Sequence, residues 1–138
     1  MSDQPQLAAV MPLRYVQSVD AMRSFYLDKL GFEHLMGMVG ADGQLDFAIV
    51  HFRGAGLMLS RPQSLAGLTA GPLEIYIAAE DVDAYAAQVA QAGVTIENPL
   101  TTQWWGDRNF SLRDPAGHLI WFWQTVGAPV PPPGVTMV

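Results

Sequence analysis

Two pairs of side chains in this sequence have the types and spacing to act on a small molecule. Trp121 and Trp123 stand two residues apart, and so do Glu74 and Tyr76. Side chains alternate across a strand, so each pair shares one face wherever its segment is extended. A surface of Trp and Tyr stacks flat conjugated rings and attracts cations through the ring quadrupole. Glu74 adds a negative charge for a cation, or a general base beside an apolar wall. A carboxylate buried without a partner is costly. Glu74 must therefore be protonated, solvated, paired with an arginine such as Arg108, or held for a cationic ligand. Trp104 and Trp105 precede a further strand-like stretch.

Metal and redox chemistry have less to work with. There are no cysteines, which excludes disulfides and thiolate metal sites. The three histidines are His34, His51 and His118, and their spacing suggests no cluster. They read as surface or edge residues. His51, on a middle strand, could face a cavity and accept a proton, and alternation alone leaves its facing open. The net charge is −6 and the seven basic residues are scattered, which argues against a nucleic-acid face. An acidic chain tends instead to attract cations. With 50% hydrophobic and 14% charged residues, the 138-residue chain reads as one globular domain. No apolar run is long enough for a membrane helix. The first residues, Met-Ser-Asp-Gln-Pro-Gln, have no signal-peptide character, so a cytoplasmic location is expected.

The elements that position these residues come in two matching sets. After a loose arm at 1–9, an apolar stretch at 10–16 leads to Ser18, a good N-cap. Val19, Met22, Tyr26 and Leu30 follow at helical spacing, widened by Phe25, and Gly31 ends the helix. Strands are expected at 32–39, 45–53 and 57–61, with Asp42-Gly43 and Gly54-Ala55-Gly56 as turns. The second set has a strand at 73–79. Its helix opens at Glu80-Asp81, presents Val82, Tyr85, Val89 and Ala92, and closes at Gly93. Strands at 94–97, 109–113 and 118–124 complete it, the last two joined by Asp114-Pro115-Ala116-Gly117. Matching Ser18 to Asp81, Gly31 to Gly93 and Gly56 to Gly117 gives offsets of 63, 62 and 61. The expected architecture is α+β. Two βαβββ modules, about 10–61 and 73–125, form curved mixed sheets around a cleft. They are joined by a linker at 62–72 and followed by an extended Pro-rich tail at 127–138.

The residues around Val16, Phe25-Tyr26 and Leu30-Gly31-Phe32 resemble the first module of vicinal-oxygen-chelate proteins, the glyoxalase/bleomycin-resistance/dioxygenase group. Trp105-Gly106, the run from Phe110 to Gly117 and the stretch from Arg53 to Leu59 look closest to its bleomycin-resistance-like members. The resemblance covers about residues 10–125. It is specific for the fold and weakly so for function, because the group spans isomerases, dioxygenases, thiol transferases and drug-binding proteins.

Metal-dependent members take one ligand from the first and one from the last strand of each module. Counting from the helix caps and turn glycines, those positions fall on Met11, Ser60, Glu74 and Trp121, with Met58 in place of Ser60 after a slip of two. Of these only Glu74 suits a hard or borderline divalent ion. The expectation is therefore no metal and no cofactor. Alternation then lines the cleft with Leu13, Tyr15, Met58, Ser60, Glu74, Tyr76, Trp121 and Trp123, with Trp105 near its mouth. The resemblance implies a homodimer that binds an aromatic or cationic small molecule, as in antibiotic sequestration. The alternative is an enzyme of lyase, isomerase or dioxygenase type with Glu74 as its base or in a partial metal site. A third reading gives the Pro-rich tail a protein partner.

Overall fold

The structure, a computed structural model, describes residues 11–61 and 74–137. The arm at 1–9, the linker at 62–72 and the starts of the strands expected from 10 and 73 lie outside the described residues. The chain divides into two compact units, Met1–Ala66 and Gly67–Val138.

In the first unit the order is β1 (Leu13–Tyr15), α1 (Val19–Asp28), β2 (Glu33–Val39), β3 (Leu45–Phe52) and β4 (Ala55–Ser60). Helix α1 starts where Ser18 Oγ accepts the Ala21 N–H at 3.1 Å. Its Val19, Met22 and Tyr26 are buried against the sheet. The strands lie in the order β1-β4-β3-β2. β1 runs parallel to β4, and the other neighbours are antiparallel. Ala48, Val50, Leu57 and Leu59 form the helix-covered face and are almost wholly buried. Truncating one of these leucines to Ala would cost about 2–5 kcal/mol through lost transfer energy and a cavity.

The second unit repeats this with β5 (Ile75–Ala78), α2 (Val82–Gln91), β6 (Ile96–Thr102), β7 (Asp107–Arg113) and β8 (Leu119–Thr125). The sheet order is β5-β8-β7-β6. Asp81 caps α2 by accepting the Ala84 N–H at 3.1 Å. Tyr85 lies over Phe122 and Phe110, at 4.7 and 6.3 Å between ring centroids. Burial there pushes its phenol well above the usual range. Among the described residues no helix is long and apolar enough to cross a membrane.

The repeat is tighter than the glycine spacing suggests. The parallel ladders pair Leu13 with Met58 and Tyr76 with Trp121, a shift of 63 on both strands. The helices also begin 63 apart. The match of Gly56 to Gly117 is the one to correct. The left-handed turn glycine of the first unit is Gly54, at φ 84°, and its counterpart is Gly117, at φ 86°. Gly56 lies inside β4. Two glycines flank Ala55, and nothing in the sequence alone says which one takes the positive φ.

Strand β6 also differs from expectation. It runs from Ile96 to Thr102, through Asn98-Pro99, where the sequence placed a strand at 94–97. β6 is an edge strand whose register slips on both sides of Asn98. A bulged edge is where a strand tolerates proline. The start of the tail is held by the β6–β7 turn: Val126 and Gly127 donate to the Gly106 carbonyl at 2.9 and 3.1 Å, and Val130 to that of Trp104 at 2.7 Å. Farther on the tail is not extended throughout but turns, with the Val135 N–H donating to the Pro132 carbonyl at 3.1 Å.

Candidate functional site

Each sheet covers one face with its helix and leaves the other without one. In the second unit, β5, β8, β7 and β6 align Tyr76, Trp121, Ser111 and Asn98 in one cross-strand row. The next row carries Ala78, Trp123, Asn109 and Thr101. The Tyr76 and Trp121 rings are nearly parallel, 6° apart with centroids at 5.9 Å. Trp121 Nε1–H donates to Glu74 Oε1 at 2.9 Å. Tyr76 remains 61% exposed, and Glu74 is exposed as well. An aromatic platform with a carboxylate fixed at its edge is thus open to approach. Glu74 thus has solvent and one indole donor around it.

Beside the aromatics the same face turns polar. Asn98 Nδ2 donates to Ser111 Oγ at 2.6 Å, and Gln103 Nε2 to Asn109 Oδ1 at 3.1 Å. Ser111 is 0% and Asn109 4% exposed, so these groups are fixed by their partners. Sequence reasoning passed over them. The signal was present in the alternation of Asn109 and Ser111 with Phe110 and Leu112.

Arg108 does not serve Glu74. It lies at the helix-covered end of β7, paired with Asp83 at 3.0 Å, and holds that carboxyl below its ordinary range. Trp105 sits in the β6–β7 turn, edge-on to Trp104 at 5.6 Å and 89°. The β7–β8 ladder runs from Trp121 past Trp123 to Thr125 before reaching that turn. Trp105 is therefore not brought to the Glu74 group.

In the first unit the face without a helix carries Leu13, Met58, Ile49 and Met36 in one row. Tyr15, Ser60, Phe47 and Met38 form the next. Tyr15, Met58 and Ser60 are thus brought together, on an apolar face. His51 is on this face too, because it pairs with Gly56, two residues before Met58. Its Nε2 lies 3.7 Å from Glu33 Oε2. His34 points the other way, its Nδ1 accepting from Arg23 Nε at 2.9 Å. His118 lies at the β7–β8 turn, its backbone N–H donating to Asp114 Oδ1 at 2.9 Å. At the far end of the sheet Arg61 bonds Asp46 and Asp42 and holds the Asp42 carboxyl at about 2.

The 63-residue register makes Met58, not Ser60, the counterpart of Trp121, and Met11 the counterpart of Glu74. Two thioethers, a carboxylate and an indole do not fit a hard or borderline divalent ion. The indole has no lone pair to give, and its N–H is committed to Glu74. Among the described residues no group of three His, Cys, Asp or Glu side chains is placed to hold a metal.

The model of the Glyoxalase/Bleomycin resistance protein/Dioxygenase superfamily matches residues 6–122. An uncharacterised protein of Mycobacterium bovis is 31% identical over 119 residues, covering 80% of this chain and 78% of its own length. Among solved structures, TioX from Micromonospora sp. ML1 is similar at a TM-score of 0.72 and 22% identity, over 86% of this chain and 100% of that one. Lactoylglutathione lyase from Agrobacterium tumefaciens gives 0.68 and 21%, over 87% and 95%. At such identities the structural likeness speaks for the fold. With the family match spanning both units, the chain belongs to the glyoxalase/bleomycin resistance protein/dioxygenase superfamily.

Proposed function

We propose that this protein binds a small planar molecule, conjugated or cationic, without using a metal, and that it sequesters such a compound as drug- and antibiotic-binding proteins do. The observation that carries this is the exposed Tyr76–Trp121 stack with Glu74 fixed to the indole edge. Stacking supplies affinity for any flat ring, and the carboxylate adds preference for positive charge. The Asn98–Ser111 and Asn109–Gln103 pairs offer hydrogen-bonding groups beside the rings, which would orient the ligand.

An enzyme with Glu74 as base is less well supported, because that carboxylate is exposed and not set in an apolar wall. The reading includes a homodimer. In its support, Leu35, Met38 and Val39 of β2 stand more than half exposed. Sedimentation velocity at micromolar concentration would show a species of twice the chain mass, and a monomer throughout would remove that part.

The test is a panel of planar cations and neutral aromatics. All four tryptophans, Trp104, Trp105, Trp121 and Trp123, lie in the second unit, so quenching of their fluorescence reports on it. A true ligand at 100 times its Kd should raise stability by about 2.7 kcal/mol in a thermal melt. A panel that neither quenches the fluorescence nor shifts the melt would sink the proposal.

A further inference from the structure

In the first unit the two register positions of the family's metal site are filled by thioethers, and the fold brings a third donor to them. Met11 precedes the β1 ladder, and its side chain, 36% exposed, lies against β4. A Cβ on Gly56 would lie 2.7 Å from Met11 Cε and 3.2 Å from its Sδ. The thioether therefore rests over the β4 backbone, in space that any other residue at 56 would fill. Across the β3–β4 ladder from Gly56 stands His51. Met58 follows two residues along β4 and points to the same face. Two thioethers and one imidazole converge on one patch of sheet.

Glu33 Oε2 lies 3.7 Å from His51 Nε2, on the strand beyond, too far for a hydrogen bond, so it adds negative charge near the ring without fixing it. Thioether sulfur is a soft donor, and thioether with imidazole selects copper(I) or silver(I) over zinc, manganese or magnesium. The chain has no cysteine, so no thiolate competes for such an ion.

We propose that the face of the first unit without a helix binds one soft monovalent ion, copper(I) or silver(I), through Met11 Sδ, Met58 Sδ and the His51 imidazole, with Gly56 as the residue that admits Met11. The site uses a donor set and an ion class different from those its register positions serve in metal-dependent relatives. The small-molecule reading of the second unit neither needs this ion nor excludes it.

Silver nitrate titrated into the full chain, labelled at the methionine methyls and kept free of chloride, should saturate at one ion per chain. The shifted methyl signals should be those of Met11 and Met58. Copper(I) competition against bicinchoninate under ascorbate then gives affinities. Met11→Leu, Met58→Leu and His51→Ala should each weaken binding by about tenfold or more, above the lower end of what supporting residues alone cost. Gly56→Ala should weaken it comparably although every donor remains. The Met36→Leu, Met38→Leu double variant should bind as the parent does. Met→Leu nearly conserves volume, so these variants retain the fold and their circular dichroism confirms it. Absence of stoichiometric binding in the parent would overturn the proposal. So would unchanged affinity in Met11→Leu and Met58→Leu, or methyl shifts confined to Met36 and Met38.

Discussion

Where the first sheet sets Leu13, Met58, Ile49 and Met36 across its open face, the second sets Tyr76, Trp121, Ser111 and Asn98. The next row repeats the contrast, with Phe47 and Met38 on one sheet and Asn109 and Thr101 on the other. On the two central strands the helix-covered faces show no such divergence. Leu59 and Val50 in one unit, and Phe122 and Phe110 in the other, are apolar and buried. A face that must bury itself against a helix is held to apolar residues by the hydrophobic effect. A face without that duty can change its chemistry, and here one has become thioether-rich while the other has become aromatic and amide-bearing.

The largest expected test of this contrast uses one register position. Trp121→Ala should lower affinity for a planar ligand by about 2–4 kcal/mol, as loss of an aromatic anchor does. Met58→Ala, its counterpart, should leave that affinity within about 0.5 kcal/mol, the span of changes remote from a feature. Calorimetric titration of both variants decides it, and equal losses would break the assignment of the ligand to the second face.

A smaller effect concerns stability. Ser111→Ala removes a fully buried hydroxyl that accepts from the exposed Asn98 amide, which water can then satisfy. It should cost about 0.5–1.5 kcal/mol, the net worth of one hydrogen bond. Ile49→Val, its counterpart, should cost about as much from packing alone. Urea denaturation measures both. If Ser111→Ala cost nothing, the polar pair would not be part of what holds the second sheet.

Charge should sort the ligands. Glu74→Gln keeps the shape of the carboxylate and removes its charge. Affinity for a cationic planar ligand should fall by about 1 kcal/mol, while a neutral analogue is unaffected. Equal loss for both would mean that Glu74 acts only by positioning Trp121.

The smallest effect is confined to the first unit. Asp42 has a folded value of about 2, below its ordinary 3.8, chiefly through its hydrogen bonds with Arg61. A depressed carboxyl contributes stability above its unfolded value and loses it as pH falls through the folded one. The contribution should therefore fade between about pH 4 and pH 2. Because the pair is exposed, added salt should weaken it as well. Acid titrations by circular dichroism should be shallower in Asp42→Asn over that window. Identical curves would assign no acid sensitivity to this pair.

Much of this was legible beforehand. Helical spacing of Val19, Met22 and Tyr26 and the caps at Ser18 and Asp81 placed both helices, because caps and periodicity are local. Alternation paired Glu74 with Tyr76 and Trp121 with Trp123 correctly by face. What failed depended on a neighbouring strand. Gly54 and Gly56 were indistinguishable until β4 was paired with β3. Arg108 was offered to Glu74 until α2 brought Asp83 to it. Asn109 and Ser111 went unremarked because their partners, Gln103 in the β6–β7 turn and Asn98 in β6, lie beyond the expected end of that strand at 97.

The slips in register along β2, between His34 and Met36 and between Met38 and Val39, bear on how this protein avoids fibre formation. β2 is one of the two outer strands of its sheet, opposite β1, as β6 is in the other, opposite β5. An outer strand that is regular and apolar is a template on which another chain can continue the sheet. Interrupted pairing twists such an edge and spoils its row of donors and acceptors, and Pro99 removes one donor from β6 outright. Leu35, Met38 and Val39 can therefore stay exposed without recruiting strands edge to edge.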